Sequence, residues 1–108
     1  MSTVARQVRQ APRAEEVFAA LARETAAVRR FGVKRLALFG SAVRGEAVPA
    51  SDLDFLVDFE RATFRDYFGL LFFLEKLLGR KVDLVIRGTL KPAIGEQVLR
   101  EALDVPGL

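Results

Sequence analysis

The chain has 108 residues, 51% hydrophobic and 29% charged with a net charge of +3, values that indicate one small globular domain. It contains no histidine and no cysteine, which excludes structural zinc sites, disulfide bonds, cysteine nucleophiles and catalysis by imidazole. Any side chains that bind a metal are therefore carboxylates, the ligands that suit Mg²⁺ or Mn²⁺.

A flexible arm and a helix are predicted at the start of the chain. Residues 1–13 show little hydrophobic periodicity and are expected to form the arm, with the folded domain at 14–108. An apolar stripe predicts a helix over 14–31, interrupted at Thr25. Gly32 suits the C-terminal cap of that helix.

Two strands joined by a turn-rich link follow this helix. Strands are predicted at 33–39 and 53–59, and the link at 40–51 is rich in glycine, serine and proline. Because so short a link cannot easily hold a crossover helix, the two strands are expected to run antiparallel. Strict alternation assigns one face of the first strand to Val33, Arg35, Ala37 and Phe39, and the other to Lys34, Leu36 and Leu38.

The second half of the chain predicts a helix at 64–78, a third strand at 82–86 and a last helix at 90–103. Gly79 ends the first of these helices, and Pro92 fits the first turn of the second. The order of elements implies an α/β or α+β fold, in which a small three-stranded mixed sheet is packed with helices.

The helix at 64–78 is apolar around most of its circumference, whereas a surface helix needs only one apolar stripe. Two explanations remain open at the level of sequence. The helix is either buried beneath its neighbours, or part of it forms an interface with a second copy of the chain or with another protein. In so small a domain we favour an interface for Leu70, Phe73 and Leu77.

Asp52 and Asp54 stand two positions apart at the start of the second predicted strand. Side chains at that spacing project from one face, with Cα atoms roughly 6.5–7 Å apart. Two such carboxylates can converge on one or two divalent ions. The Asp-x-Asp pattern alone is weak evidence, since solvated aspartates in turns are commoner.

Residues on either side of this pair strengthen the case for a metal and phosphate site. Gly40 and Ser41 follow the first strand at once, where a glycine and a hydroxyl can approach a phosphate group closely. Arg44 adds a planar cation suited to phosphate. Asp83 interrupts an apolar strand, and a buried carboxylate there must be paired or bind a metal. An exposed Asp83, or an ion pair with Arg80, Lys81 or Arg87, remains the alternative.

The combined pattern resembles the polymerase-β nucleotidyltransferase superfamily, and in particular its smallest members, the minimal nucleotidyltransferases. The resemblance rests on FGSAVRG at 39–45, SDLDFLV at 51–57 and LGRKVDLV at 78–85. It extends over about residues 14–104. One departure is Val43, where relatives often have alanine, and it leaves the proposed ligands unchanged. It implies a polymerase-β-like nucleotidyltransferase fold.

The resemblance also implies roles for the individual residues. Gly40 and Ser41 would bind the triphosphate of ATP, with Arg44 as a supporting contact. Two Mg²⁺ ions, or Mn²⁺, would be held by Asp52 and Asp54. Asp83 would be the third ligand and could also accept the proton of the acceptor hydroxyl. The resemblance thus implies that Asp52, Asp54 and Asp83 are the catalytic residues.

The resemblance to the minimal nucleotidyltransferases also implies a partner protein. They act as the antitoxin of a toxin–antitoxin pair by transferring AMP from ATP to a tyrosine of a helical HEPN-domain toxin encoded by a neighbouring gene. Two alternatives remain open: transfer to a small hydroxylated molecule, which the lack of a separate acceptor-binding domain disfavours, and stoichiometric toxin binding without catalysis.

Location and other partners are predicted from what the sequence lacks. No N-terminal segment resembles a signal peptide, and no apolar run reaches the roughly 18 residues of a membrane span. We therefore expect a cytoplasmic protein with no membrane partner. The basic excess is small and not clustered with aromatic residues, so nucleic acid is not an expected partner.

Overall fold

A computed structural model describes residues 10–108 as one mixed sheet with helices on both faces. In chain order the elements are α1 (Ala14–Ala22), α2 (Thr25–Arg29), β1 (Val33–Phe39), α3 (Ser41–Arg44), β2 (Leu53–Phe59), α4 (Phe64–Leu78), β3 (Val82–Ile86), a 3₁₀ turn (Arg87–Thr89), α5 (Pro92–Glu101) and β4 (Leu103–Asp104). Most of the predicted arm lies outside the described residues, and 10–13 have no regular secondary structure. The arm therefore stays a prediction.

The described sheet has four strands in the order β3-β2-β1-β4. β1 and β2 are antiparallel, as predicted, whereas β3 runs parallel to β2. The mixed sheet is confirmed, but the predicted count of three strands was wrong. The fourth strand, β4, pairs with β1 through only two residues, Leu103 and Asp104. So short a segment carries no periodic signal, because its pairing depends on residues distant in sequence.

The predicted helix at 14–31 is two helices in the structure. The backbone of Glu24 leaves the helical region, with φ −124° and ψ 19°. Its N–H donates to the carbonyl of Leu21 at 2.9 Å, which closes a tighter turn between α1 and α2. The C-cap of α2 is Arg30 and not the predicted Gly32. Gly32 lies two residues further on, where its φ of 76° turns the chain towards β1.

The first strand departs from strict alternation at its start. Its pairing with β2 shifts register between Val33 and Arg35. Val33 consequently joins the same buried cluster as Leu36 and Leu38, while Ala37 belongs to the opposite face. The face predicted for Val33 was wrong, because one extra residue in a strand reverses the alternation on one side of it.

The two faces of the sheet are covered to different extents. The main core fills the face beneath α1, α2 and α4, and a smaller cluster joins α5 to the other face. Leu53 and Phe55 of β2 point into the main core. Since strand residues alternate, Asp54 lies on the α5 face. The main core includes Val17, Leu21, Val28, Leu36, Leu38, Val57, Leu70, Leu74 and Leu84, and the smaller cluster includes Ala37, Leu56 and Val98.

Helix α4 spans the predicted residues, but its most exposed apolar side chains are not the three for which an interface was favoured. Leu70 is fully buried, and Phe73 and Leu77 pack against the same core. The interface favoured for Leu70 was wrong, because the core buries that side chain completely. Phe73 and Leu77 are only partly buried, and an interface at these two residues stays a prediction. No helix in the described part of the chain is long and apolar enough to cross a membrane. The large apolar side chains that α4 does expose are Phe64 (85%), Phe68 (44%) and Phe72 (62%).

Side chains tie α4 to the outer edge of β3. The hydroxyl of Tyr67 donates to the carbonyl of Leu84 at 2.6 Å, and the N–H of Val82 donates to the carboxylate of Glu75 at 3.1 Å. These bonds use backbone groups that an edge strand would otherwise present to another chain. They therefore fix β3 in place and hinder the addition of a further strand.

The division of α4 into a buried and an exposed face is tested by two substitutions. Leu70→Ala is expected to lower the free energy of unfolding by about 3 kcal/mol, because it leaves a cavity in the core. Phe72→Ala, two residues further along the same helix, is expected to cost about 0.5 kcal/mol or less. Urea unfolding of both variants measures the difference, and equal losses would contradict the assignment.

Candidate active site

The three aspartates predicted as metal ligands lie at one end of the sheet. Asp54 on β2 is in register with Asp83 on β3. Because paired strands lie about 4.8 Å apart, the two carboxylates are neighbours on the α5 face. Asp52 stands just before β2, two residues ahead of Asp54. The parallel pairing of β2 and β3 thus brings residues 29 positions apart to one place.

Burial differs among these aspartates. Asp54 is partly buried, whereas Asp52 and Asp83 are exposed. The expectation that Asp83 is a buried charge was therefore wrong, because β3 is an edge strand open to solvent at this position. What distinguishes Asp83 from an ordinary surface aspartate is its position beside Asp54.

Gly40 packs directly against Asp54. Its backbone has φ 83° and ψ −155°, a combination that is essentially restricted to glycine. A Cβ atom at this position would stand 2.2 Å from Oδ2 of Asp54. The preceding residue, Phe39, pairs with Asp54 across β1 and β2. Only glycine therefore allows the chain to turn immediately beside this carboxylate.

The short helix α3 holds Ser41 and Arg44 next to the aspartates. Ala42 is buried, Val43 packs against the main core, and Gly45 ends the helix with φ 73°. Within residues 10–108 the hydroxyl of Ser41 makes no hydrogen bond. A valine at position 43 is thus accommodated by the core, and the Ser41 hydroxyl remains available to a ligand.

Arg44 is held by two glutamates that the sequence analysis did not identify. Its Nε donates to Glu46 at 2.8 Å, and its NH1 donates to both carboxylate oxygens of Glu101 at 3.1 Å. The N–H of Gly40 also donates to Glu101, at 2.8 Å. Glu101 thereby contacts both Gly40 and Arg44, two of the three residues predicted to bind the triphosphate.

The site carries an excess of negative charge. Within the described part of the chain, Asp52, Asp54 and Asp83 form no salt bridge. Burial raises the pKa of Asp54 above its ordinary value, and the charges of Asp83 and Asp52 raise that pKa further. Arg44 opposes the shift, and Glu101 adds to it. The carboxylates therefore repel one another, and Arg44 compensates this repulsion only in part.

The aspartates suit a divalent cation once their side chains converge. Between residues 10 and 108 no three acidic side chains stand close enough together to hold a metal ion as they are oriented here. Asp52 and Asp83 are exposed, so their carboxylates are free to rotate toward Asp54. Three oxygen ligands without nitrogen or sulfur match the preference of Mg²⁺ or Mn²⁺.

Known proteins are similar to this chain in sequence and in fold. The family described as nucleotidyltransferase domain matches residues 24–105. The protein adenylyltransferase MntA of Thermococcus cleftensis is 49% identical over 77 residues, which are 70% of this chain and 78% of that protein. A solved structure described as a minimal nucleotidyltransferase is 45% identical with a TM-score of 0.67, and the match covers 80% of this chain and 93% of the other.

A more distant structure has the same fold. It is a complex of a tri-AMPylated Shewanella oneidensis HEPN toxin with an MNT antitoxin, and the match has a TM-score of 0.61 at 19% identity. The match covers 85% of this chain and 73% of the other. At this identity the likeness extends to the fold alone.

Because Gly40 packs closely on Asp54, alanine is expected to lower the free energy of unfolding more at Gly40 than at Gly45. Gly45→Ala is expected to cost about 1 kcal/mol, since its φ of 73° is strained for alanine but nothing lies within 4 Å of the added carbon. Gly40→Ala is expected to cost about 3 kcal/mol, because it adds a clash with Asp54 to backbone strain. Urea unfolding measures both.

A double substitution separates the clash from the strain. In an Asp54→Ala background the cost of Gly40→Ala should fall toward that of Gly45→Ala, because the clashing carboxylate is gone. An unchanged cost would show that the contact with Asp54 is not the reason for glycine at this position.

The repulsion among the aspartates predicts that Asp54→Asn stabilises the metal-free protein. Because the pKa of Asp54 is raised on folding, ionised Asp54 disfavours the folded state at neutral pH. Thermal unfolding in EDTA at pH 7.5 should show a melting temperature a few degrees higher for the variant. The gain should shrink as the pH falls through the pKa of Asp54, where folded wild type also takes up the proton.

Asp58→Asn provides a control on the same strand. Asp58 faces Arg35 across β1 and β2, so its neutralisation removes an attraction rather than a repulsion and should not raise the melting temperature. A stabilisation of equal size in both variants would contradict a specific repulsion at Asp54.

Proposed function

This chain belongs to the nucleotidyltransferase family, as a minimal member of the polymerase-β superfamily, and from that premise we propose that it transfers AMP from ATP to a hydroxyl of a partner protein. The chain is thus a nucleotidyltransferase enzyme. The observation that carries the proposal is the pairing of Asp54 with Asp83 beside the Gly40 turn.

Each group at the site has a role in this proposal. Asp52, Asp54 and Asp83 hold Mg²⁺, with two ions expected and Mn²⁺ as a substitute. Gly40 and Ser41 contact the triphosphate through the backbone N–H and the hydroxyl, and Arg44 neutralises phosphate charge. When bound, Mg²⁺ would neutralise the phosphate oxygens and polarise the α-phosphate.

The transfer itself requires one bond to form and one to break. The acceptor oxygen attacks the α-phosphorus of ATP, a new P–O bond forms, and the bond from that phosphorus to the β-phosphate bridging oxygen breaks. Pyrophosphate leaves with the bonding electrons, and an oxygen of Asp83 accepts the proton of the acceptor hydroxyl. Because catalysis of this type depends mainly on positioning and charge neutralisation, a chain without histidine can perform it.

The proposed acceptor is a tyrosine of a HEPN-type toxin encoded by a neighbouring gene, which would make the chain an antitoxin. Two relatives support this: one is named a protein adenylyltransferase, and the other is an MNT antitoxin in complex with an AMPylated HEPN toxin. The elements described in residues 14–108 all belong to the sheet and the helices packed on it. These residues therefore contain no separate domain that could bind a small acceptor molecule. A cytoplasmic location is part of the same proposal.

The contact with a partner is proposed to involve the exposed face of α4. Phe64, Phe68 and Phe72 form a continuous aromatic row, with ring centroids 6.4 Å and 6.1 Å apart. Exposed apolar rows of this kind occur at protein interfaces. Toxin contact and pairing of two copies of this chain are both compatible with the row, and the oligomeric state of Phe72→Ser with and without the toxin distinguishes them.

A transfer assay tests the proposed function. The chain is incubated with Mg²⁺, the product of the neighbouring gene and ATP labelled on the α-phosphate, and protein-bound label is measured. We expect label on the partner, none when the label is on the γ-phosphate, and a loss of about 1,000-fold or more in Asp54→Asn. Asp58→Asn is the matched control on the same strand and should retain transfer.

The remaining outcomes identify the alternatives. Label that appears on an added small hydroxylated molecule, and not on a protein, would replace the protein acceptor. Neutralisation of the toxin that survives Asp52→Asn and Asp54→Asn would indicate stoichiometric binding. Absence of transfer to any acceptor, together with absence of ATP binding, would contradict the proposal as a whole.

A further inference from the structure

The carboxylate of Glu101 accepts hydrogen bonds from two anion-binding groups of the proposed phosphate site. The N–H of Gly40 donates to it at 2.8 Å, and Arg44 donates to both of its oxygens at 3.1 Å. Its side chain is only 19% exposed, against 44% for Arg44. A backbone N–H and a guanidinium are also the groups that bind the oxygens of a phosphate, so Glu101 occupies donors that suit a phosphate group.

The fold brings Glu101 to this place from the far end of the chain. Glu101 is the last residue of α5, and β4 follows after a single residue and pairs with β1. That pairing holds the end of α5 beside β1, the strand that leads directly into Gly40. The contact is therefore a product of the C-terminal strand and not of local sequence.

Glu101 also adds to the negative charge at the site. It is near enough to Asp54 for the two charges to interact. A phosphate placed on Gly40 and Arg44 would meet the carboxylate of Glu101 as a like charge at hydrogen-bond distance. Phosphate and Glu101 thus compete for the same donors, and only one of them can hold both groups at a time.

We propose that Glu101 takes the place of a phosphate group in the nucleotide-free protein, and that the triphosphate must displace it in order to bind. Glu101 is then the residue that limits nucleotide affinity. The inference rests on the proposed function to the extent that Gly40 and Arg44 receive the triphosphate. Displacement requires rotation of the Glu101 side chain, whereas Glu46 can continue to orient Arg44 through Nε.

The opposite role, in which Glu101 orients Arg44 for the nucleotide, predicts the opposite result. If Glu101 orients Arg44, its loss should weaken nucleotide binding. If Glu101 competes with the triphosphate, its loss should strengthen binding, because a charge-assisted contact no longer has to be broken. The sign of the change in affinity therefore decides between the two roles.

The test is the affinity of the full chain for Mg²⁺ and a non-hydrolysable ATP analogue, measured by isothermal titration calorimetry. Glu101→Gln keeps the size of the side chain and removes its charge, and it should bind the analogue about tenfold more tightly than wild type. Glu96→Gln, an exposed position on the same helix, makes the same change in net charge and should leave the affinity unchanged.

A second ligand tests whether the competition concerns phosphate. Inorganic tripolyphosphate with Mg²⁺ should show the same gain in Glu101→Gln, whereas adenosine should show none. Thermal unfolding of Glu101→Gln and Glu101→Ala checks that each variant is folded before titration. If Glu101→Gln is unfolded at the titration temperature, the role of Glu101 is structural and the inference is overturned.

The outcomes separate this inference from the proposed function. Binding by wild type with equal or weaker binding by Glu101→Gln would overturn the competition and leave the function intact. An equal gain in Glu96→Gln would also overturn it, because the effect would be one of net charge. If neither wild type nor Glu101→Gln binds the analogue or tripolyphosphate, both the inference and the assignment of the phosphate site fail.

Discussion

The repulsion among the carboxylates at the start of β2 and β3 is the constraint on which the site depends. Asp54 and Asp83 are held side by side by the parallel pairing of their strands, and the protein supplies no salt bridge to either within residues 10–108. Asp52 and Asp83 are exposed, and solvent therefore weakens the repulsion that they exert on Asp54. A bound divalent cation would relieve the repulsion that Arg44 compensates only in part.

The sheet separates stability from chemistry by its two faces. The face beneath α1, α2 and α4 contains the large core, and α4 is further tied to β3 by Tyr67 and Glu75. On the opposite face the described residues form a small apolar cluster under α5, and the aspartates and the Gly40 turn lie at the end of the sheet beside it. Because Asp54 alternates with Leu53 and Phe55, the residues that anchor β2 in the core also aim its carboxylate at the site.

The apolar composition of α4 did not show which side of the helix is buried. An all-round apolar helix was divided by packing into a buried face with Leu70 and an exposed aromatic row with Phe68 and Phe72. Hydrophobicity along the chain cannot make that division, since it does not state which side meets the sheet. The bulge between Val33 and Arg35 likewise placed Val33 on the face opposite to the predicted one, because one added residue reverses the alternation of side chains.

The amino-acid sequence by itself determined most of the elements and the candidate ligands of the site. Periodicity located the three main strands and α4, and the absence of histidine and cysteine limited metal ligands to carboxylates. The spacing of Gly40, Ser41, Asp52 and Asp54 predicted a metal and phosphate site, because these residues are close in sequence.

Only the tertiary structure decided what depends on contacts between distant residues. It placed Asp83 beside Asp54, added β4 to the sheet, and brought Glu101 to Gly40 and Arg44 across 61 and 57 residues. No sequence pattern specifies these contacts, since each results from how the strands pair and where α5 ends.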